Sequence, residues 1–247
     1  MLSSTGTLYI VSTPIGNLDD LAPRAKQLLE SSAYVLCEST EQTRKLSLTA
    51  RLKKYVGKGS LGTAIMAQAI EDLKAGSDIS LVCNAGTPLI SDPGLALVEI
   101  AVASGIPVRH VPGFNAALSA AVTSGFPTKR LILAGFLPKK SGAQKNSLEK
   151  LKAAGAALDE PAGIIIYCSK YQVLKTIENV AEVFGPEVKI SLAREMTKMF
   201  EEHKNGTPAE LIAWLNENKV RLKGEFTLVI SSTSTAPPLA CPTNAAL

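Results

Sequence analysis

The stretch Ile79–Gly94, ISLVCNAGTPLISDPG, decides how this chain is read. It opens on the apolar run Ile79–Cys83, rich in branched side chains and of the length of one buried strand. The run stops at Asn84-Ala85-Gly86-Thr87-Pro88, and a second glycine–proline cluster, Ser91-Asp92-Pro93-Gly94, follows at once. Helically spaced segments flank it: Ala64–Ala75, with Gly76 as a stop, and Gly94–Ser104, closed by Gly105. Helix, strand, glycine-rich loop and helix in succession form the unit from which parallel sheets are built.

The same unit recurs outward in both directions. On the amino side stand a strand at Thr7–Ser12, a helix over Leu18–Ser31 and a short strand at Ala33–Cys37. On the carboxyl side, strand Pro107–Val111 leads through Pro112-Gly113 into an Ala-rich helix over Asn115–Ser124. This rhythm predicts a mainly parallel sheet covered on both faces. After Ser124-Gly125-Phe126-Pro127 it restarts, with strands expected at Arg130–Gly135, Gly163–Cys168, Val188–Ala193 and Glu225–Ser231. Helices are expected at Lys145–Ala154, Tyr171–Phe184 and Pro208–Glu217. The expected organisation is therefore an α/β lobe at 1–125, a second α/β lobe at 126–232 and a loose tail at 233–247. The short linker places a ligand cleft between the lobes.

Composition narrows the function classes. The chain has 247 residues, of which 46% are hydrophobic and 19% charged, enough for a sizeable core. A net charge of +4 permits contact with phosphates without marking a nucleic-acid binder. The short basic pieces Arg51–Lys54 and Lys139-Lys140 read as solvated surface. Cys37, Cys83, Cys168 and Cys241 form no CxxC pair, and His110 and His203 are the only histidines, so no metal site is expected. MLSSTGT carries no secretory pattern and no apolar stretch is long enough to cross a bilayer, so a cytoplasmic, reducing location with no membrane contact is expected.

The chemistry is expected in the loops that follow strands: Thr13–Asn17, Asn84–Pro88, Ser91–Gly94 and Pro112–Asn115. A parallel sheet brings all of them to one edge. Glycine lets backbone approach a ligand and leaves amide N–H groups free, while proline fixes loop shape. No GxGxxG follows the first strand, so the rim is not a dinucleotide fingerprint.

TPIGNLDDL, NAGTPLISDPG, GFLPKKSGAQ, AREMTKMFEE and KGEF stand in the order and spacing of a known family. From about Gly6 to about Ile230 the chain resembles the 16S rRNA 2′-O-ribose (cytidine) methyltransferases of the tetrapyrrole methylase superfamily, as a diverged member. The resemblance implies two α/β lobes of the tetrapyrrole methylase type, with S-adenosylmethionine folded in the cleft between them. It assigns cofactor contacts to Pro14, Gly16, Asn84, Gly86, Thr87, Pro88, Asn115, Ala116 and Ala117. In the second lobe it assigns Tyr167, Cys168, Ala193 and Met196 to the adenosine side. It also implies a homodimer and a small-subunit rRNA substrate.

Methyl transfer to an alcohol oxygen calls for a proton acceptor, or for positive charge that acidifies the hydroxyl. The segment Glu38–Lys45 follows the second strand and keeps much of the family pattern, with Glu38 the first candidate for the acceptor and Arg44 for a phosphate contact. The same segment also reads as a helix start capped by Ser39 or Thr40. Lys139, Lys140 and Lys198 are further candidates for phosphate.

Departures from the family fall at Ser39 and Glu41 (an acidic residue and an arginine in the family) and at Asn84 (an aspartate). They also fall at Tyr55–Ser60, at Phe114-Asn115 and at Cys168–Tyr171. They keep two alternatives open: S-adenosylmethionine-dependent methylation of a tetrapyrrole or other small molecule, and a non-catalytic homologue that binds RNA or protein.

Overall fold

A computed structural model describes residues 5–55 and 60–232. The expected tail, Cys241 and part of the divergent Tyr55–Ser60 stretch lie outside the described residues. The chain divides into two compact units, Met1–Ala116 and Ala117–Leu247.

In the first unit the order is β1 (Leu8–Val11), α1 (Pro23–Ser31), β2 (Tyr34–Cys37), α2 (Thr40–Arg44), β3 (Leu52–Lys54), α3 (Ser60–Lys74), β4 (Ile79–Val82), α4 (Leu95–Ala103) and β5 (Val108–Val111). The sheet runs β3-β2-β4-β1-β5, parallel throughout, as the rhythm predicts. Alternate side chains feed two cores. Leu8, Ile10, Leu36, Ile79 and Leu81 meet α3 and α4, whereas Val11, Val35, Cys37 and Val82 meet α1. That division follows from right-handed crossovers: the α1 connection moves toward the β3 edge, and those of α3 and α4 move back toward β5.

The continuous helix expected over Leu18–Ser31 is not present. A 3-10 turn at Leu18–Asp20, capped by the Asn17 side chain, precedes α1, which starts at Pro23. Proline forces the residue before it out of the helical region, and Ala22 stands at ψ 136°. Leu18 is exposed rather than part of a buried face.

The second unit runs from α5 (Ala116–Thr123) through β6 (Leu131–Phe136), α6 (Ser141–Ala156), β7 (Gly163–Ser169), α7 (Val173–Phe184), β8 (Ile190–Arg194), β9 (Glu202–Gly206) and α8 (Pro208–Glu217) to β10 (Glu225–Ser231). Helix α5, which the sequence rhythm assigns to the first lobe, is counted here. Asn205 Nδ2 on β9 donates to Ser124 O just beyond it, at 2.8 Å.

This sheet is mixed, in contrast to the first. Its order is β6-β7-β10-β8-β9, with only β6–β7 parallel. The β8–β9 connection is too short for a helical crossover, so it returns as an antiparallel hairpin. Ile164, Ile166, Leu192, Phe226 and Leu228 form the core against Leu148 of α6, Ile177 and Val180 of α7, and Leu211 and Leu215 of α8.

The β8–β9 loop is organised by one buried cation. Arg194, 4% exposed, donates to the carbonyls of Lys223 (2.9 Å), Phe200 (3.0 Å) and Val220 (3.1 Å), and pairs with Glu202 at 2.9 Å. Glu195 takes a φ of 51°, and a Cβ at Gly224 would meet its side chain at 2.6 Å, so only glycine fits there. Removing one partner of such a buried network leaves the others unsatisfied. Arg194→Met is expected to lower unfolding stability by about 3–5 kcal/mol in urea titration. A loss below about 1 kcal/mol, the worth of one ordinary hydrogen bond, would show that the loop is held by other contacts.

Candidate functional site

Because β1 lies between β4 and β5, the loops that leave these three strands emerge side by side. They are stitched together. Thr13 N donates to Gly86 O (2.9 Å) and Gly86 N returns a bond to Thr13 O (3.0 Å). Ser12 Oγ donates to Thr87 Oγ1 at 3.2 Å, and Thr87 Oγ1 donates to Phe114 O at 3.1 Å. Gly86 sits at φ 80°, where a Cβ would press on Ile15 Cγ2 at 3.2 Å, so its glycine is required by conformation. The loops singled out in the sequence thus share one edge. Pro14, Gly86 and Pro88 are buried, Thr87, Asn115 and Ala116 half-buried, and Gly16 and Asn84 exposed on the rim. Among the described residues Thr13 Oγ1, buried there, has no hydrogen-bond partner.

A second feature of the same edge is carried by carboxylates. Glu38 leaves β2, half-buried, while Arg44 ends α2 exposed to solvent. Ser39 does cap that helix, accepting from Gln42 N, and Glu41 lies in its first turn. Asp92, which sequence reasoning passed over inside its glycine–proline loop, faces the same neighbourhood. Burial raises the Asp92 carboxyl above its ordinary value; a hydrogen bond with the Cys83 thiol opposes the rise and the charge of Glu38 adds to it. The Tyr55 hydroxyl is likewise pushed up by burial and by Glu38. It donates to Pro93 O at 2.8 Å. The Cys83 thiol, raised by burial and by Asp92, donates to Ala85 O at 3.1 Å, which joins the carboxylates to the glycine loop.

The segment that presents Asp92 is conformationally forced. Leu89 (φ 72°) and Ser91 (φ 66°) are non-glycine residues in the left-handed region, and Gly94 follows at 124°. Such backbone persists only where its surroundings impose it, and it concentrates at functional sites.

In the second unit the register places Tyr167, Thr227 and Ala193 in one row across β7, β10 and β8, so two expected residues share a face. Cys168 points the other way, into the core, and burial drives its thiol up to about 12. Met196 is buried in the β8–β9 loop between Glu195 and Thr197, both at positive φ. Lys198, a candidate for phosphate, is paired with Glu195 and Glu225, each at 2.8 Å. A cavity of about 490 Å³ opens beside Tyr167, bounded also by Phe136, Tyr171 and Gln172. Among the described residues no group of three or more His, Cys, Asp or Glu could hold a metal ion, and no helix is long and apolar enough to cross a membrane.

The raised Asp92 carboxyl has a definite consequence for stability. Its protonated form is favoured on folding, so its contribution is complete below the ordinary value of 3.8 and is lost as pH rises through the raised value. At neutral pH its buried charge opposes folding. Asp92→Asn is therefore expected to melt above the parent protein at pH 7, with the gap narrowing as pH falls toward 3.8. Equal melting temperatures at pH 7 would contradict the burial of this charge.

Comparison with known proteins bears on the family and the fold. Residues 7–212 match the sequence pattern of the Tetrapyrrole (Corrin/Porphyrin) Methylases. A protein of Haemophilus influenzae named Ribosomal RNA small subunit methyltransferase I is 39% identical over 93% of this chain and 80% of its own. Its namesake in Halalkalibacterium halodurans is 38% identical over 91% of this chain and 75% of its own. The crystal structure of uroporphyrin-III C-methyltransferase from Thermus thermophilus, complexed with S-adenosylhomocysteine, shares the fold with a TM-score of 0.61. It is 16% identical and covers 91% of this chain and 96% of that one. The chain belongs to the tetrapyrrole methylase family, within the group formed by the small-subunit ribosomal RNA methyltransferases I.

Proposed function

We propose that this methyltransferase uses S-adenosylmethionine to methylate a ribose 2′-hydroxyl of small-subunit ribosomal RNA. The observation that carries the reading is the knitted rim of Thr13, Gly86, Thr87 and Phe114, with Glu38 and Asp92 on the same sheet edge. The relatives' shared name supports small-subunit ribosomal RNA as the substrate.

The rim fits the cofactor. It offers backbone at close approach, proline-fixed loops and an unpartnered buried hydroxyl on Thr13, suited to a small ligand with charged polar groups. Pro14, Gly16, Asn84, Gly86, Thr87, Pro88, Asn115 and Ala116 would hold it. S-adenosylmethionine supplies a methyl group on a sulfonium, already a good leaving group.

The protein's task is to align the ribose oxygen and remove its proton. Alignment alone can contribute about 7–11 kcal/mol. Glu38 accepts the hydroxyl proton. Asp92 stands in the same electrostatic neighbourhood, its own carboxyl raised by burial and by the charge of Glu38. Arg44, exposed at the end of α2, would contact a backbone phosphate.

Calorimetric titration is expected to show binding of S-adenosylmethionine and S-adenosylhomocysteine, and the purified protein to label small-subunit rRNA at a ribose. Glu38→Gln should lower kcat by about 100-fold or more, the usual contribution of a positioned base, with cofactor affinity unchanged. Labelling of a tetrapyrrole in place of rRNA would overturn the acceptor, and absence of cofactor binding would overturn the enzyme.

The protein works in the cytoplasm as a homodimer. Helix α4, LALVEIAVA, is apolar nearly all round; it buries Leu97 and Ala101 yet leaves Leu95, Ile100 and Val102 exposed. A second copy would cover them. Sedimentation should give a dimer, and Val102→Glu should shift it toward monomer. A monomeric parent protein would refute the assignment.

A further inference from the structure

We infer that the second unit carries a stacking subsite for an unpaired base of the substrate RNA, formed by Phe136 and Tyr171 over the cavity at the carboxyl ends of β6 and β7. The inference rests on the RNA reading above and adds where the strand is held.

Both rings lie on the surface in a way that folding does not explain. Phe136 is 64% exposed and Tyr171 81% exposed. Phe136 pairs with Tyr167, ring centroids 5.5 Å apart at 48°, so one wall of the cavity is already aromatic. The cavity of about 490 Å³ is large enough for a base, and none of the residues bounding it is acidic. Every base offers a π-face, and bases splayed from single-stranded RNA are commonly held between aromatic side chains.

Charge selects the occupant. The segments Phe136–Lys145 and Tyr167–Lys175 contain five lysines and no Asp or Glu. Lys145 and Lys175 are taken by Glu182 and Glu178, but no carboxylate among the described residues forms a salt bridge with Lys139, Lys140 or Lys170. Lys170 Nζ stands 5.0 Å from the Tyr171 ring centroid. Aromatic rings flanked by cations that no carboxylate pairs with suit a polyanion that carries stackable groups, and suit an apolar protein partner poorly.

The loop that presents these groups is fixed from beneath. Gln144, Thr176 and Asn179 are at most 1% exposed between α6 and α7. Gln144 Nε2 donates to Pro138 O (3.2 Å) and Thr176 Oγ1 (3.2 Å), while its carbonyl accepts from Asn179 Nδ2. Ser141 Oγ donates to Asn179 Oδ1 at 2.9 Å. Buried amides stabilise less than apolar packing unless they fix a geometry, and here that geometry is the course of residues 138–141. A loop ordered in advance loses little entropy when RNA binds.

The test uses the full chain with a labelled single-stranded RNA of about twelve nucleotides, within the span such grooves cover, read by fluorescence anisotropy. Phe136→Leu and Tyr171→Leu keep apolar bulk and should each weaken RNA binding about 10-fold, the loss of one stacked base. Tyr171→Trp should restore affinity. Calorimetry with S-adenosylhomocysteine should give parent affinity for all three. RNA affinity within about 2-fold of the parent for both leucine variants would overturn the subsite, as would a loss of S-adenosylhomocysteine affinity, which would assign the cavity to the cofactor. If the parent labels rRNA and the leucine variants still bind RNA normally, this inference alone falls. If the parent neither binds RNA nor labels rRNA, the acceptor reading falls with it.

Discussion

The reciprocal backbone pair between Thr13 and Gly86 is the constraint on which the site depends. It exists because β4 and β5 both pair with β1, and that placement is dictated by the crossovers of a parallel sheet. Once the pair forms, the next residues have little freedom. Gly86 must take a positive φ, Thr87 must face Phe114 O, and Ser12 must reach Thr87. The close approach of these loops is a property of strand order, to which the side chains then adapt.

The two units solve the burial problem differently, and their chemistry differs accordingly. In the first, every strand runs the same way and all the loops at one edge can be given to a ligand. In the second, only β6 and β7 are parallel, and a buried arginine ties the β8–β9 hairpin, through Phe200 O, to the carbonyls of Val220 and Lys223 ahead of β10. Polar groups buried in the second unit fix loops from below: Arg194 under residues 195–202, and the Gln144–Asn179–Thr176 cluster under residues 138–141. Exposed Phe136 and Tyr171 stand above the second of these supports.

Much of this was legible in the residues. Strands buried on both faces announced themselves as apolar runs, and Gly and Pro marked the loops between them. Two of the four edge strands, β3 and β9, give no such signal, although the edge strands β5 and β6 do. β3 is three residues long and β9 reads EHKNG, polar because an edge strand has one partner and meets water. The mixed second sheet was hidden for the same reason, since without β9 the hairpin cannot be seen. Pro23 marked the break before α1, but the leucine spacing across it was the louder signal. Of the candidate site, the sequence marks the rim loops, Ser91–Gly94 among them, and Glu38, but gives Asp92 itself no role. Its environment depends on Cys83, Tyr55 and Glu38, which no local pattern brings together.

The rim joins residues far apart in the chain, and this bears on when it comes into being. Thr13 leaves the ribosome early, Gly86 well after it and Phe114 later still, yet all three are needed for one continuous set of hydrogen bonds. Contacts of such long sequence separation close late, after the loop entropy between them has been overcome. A nascent chain that ends before β5 can already pair β1 with β4, but it lacks one side of the rim. Ligand affinity at this edge therefore reports completion of the whole five-stranded sheet, and a bound ligand selectively retains chains in which the last parallel strand has docked.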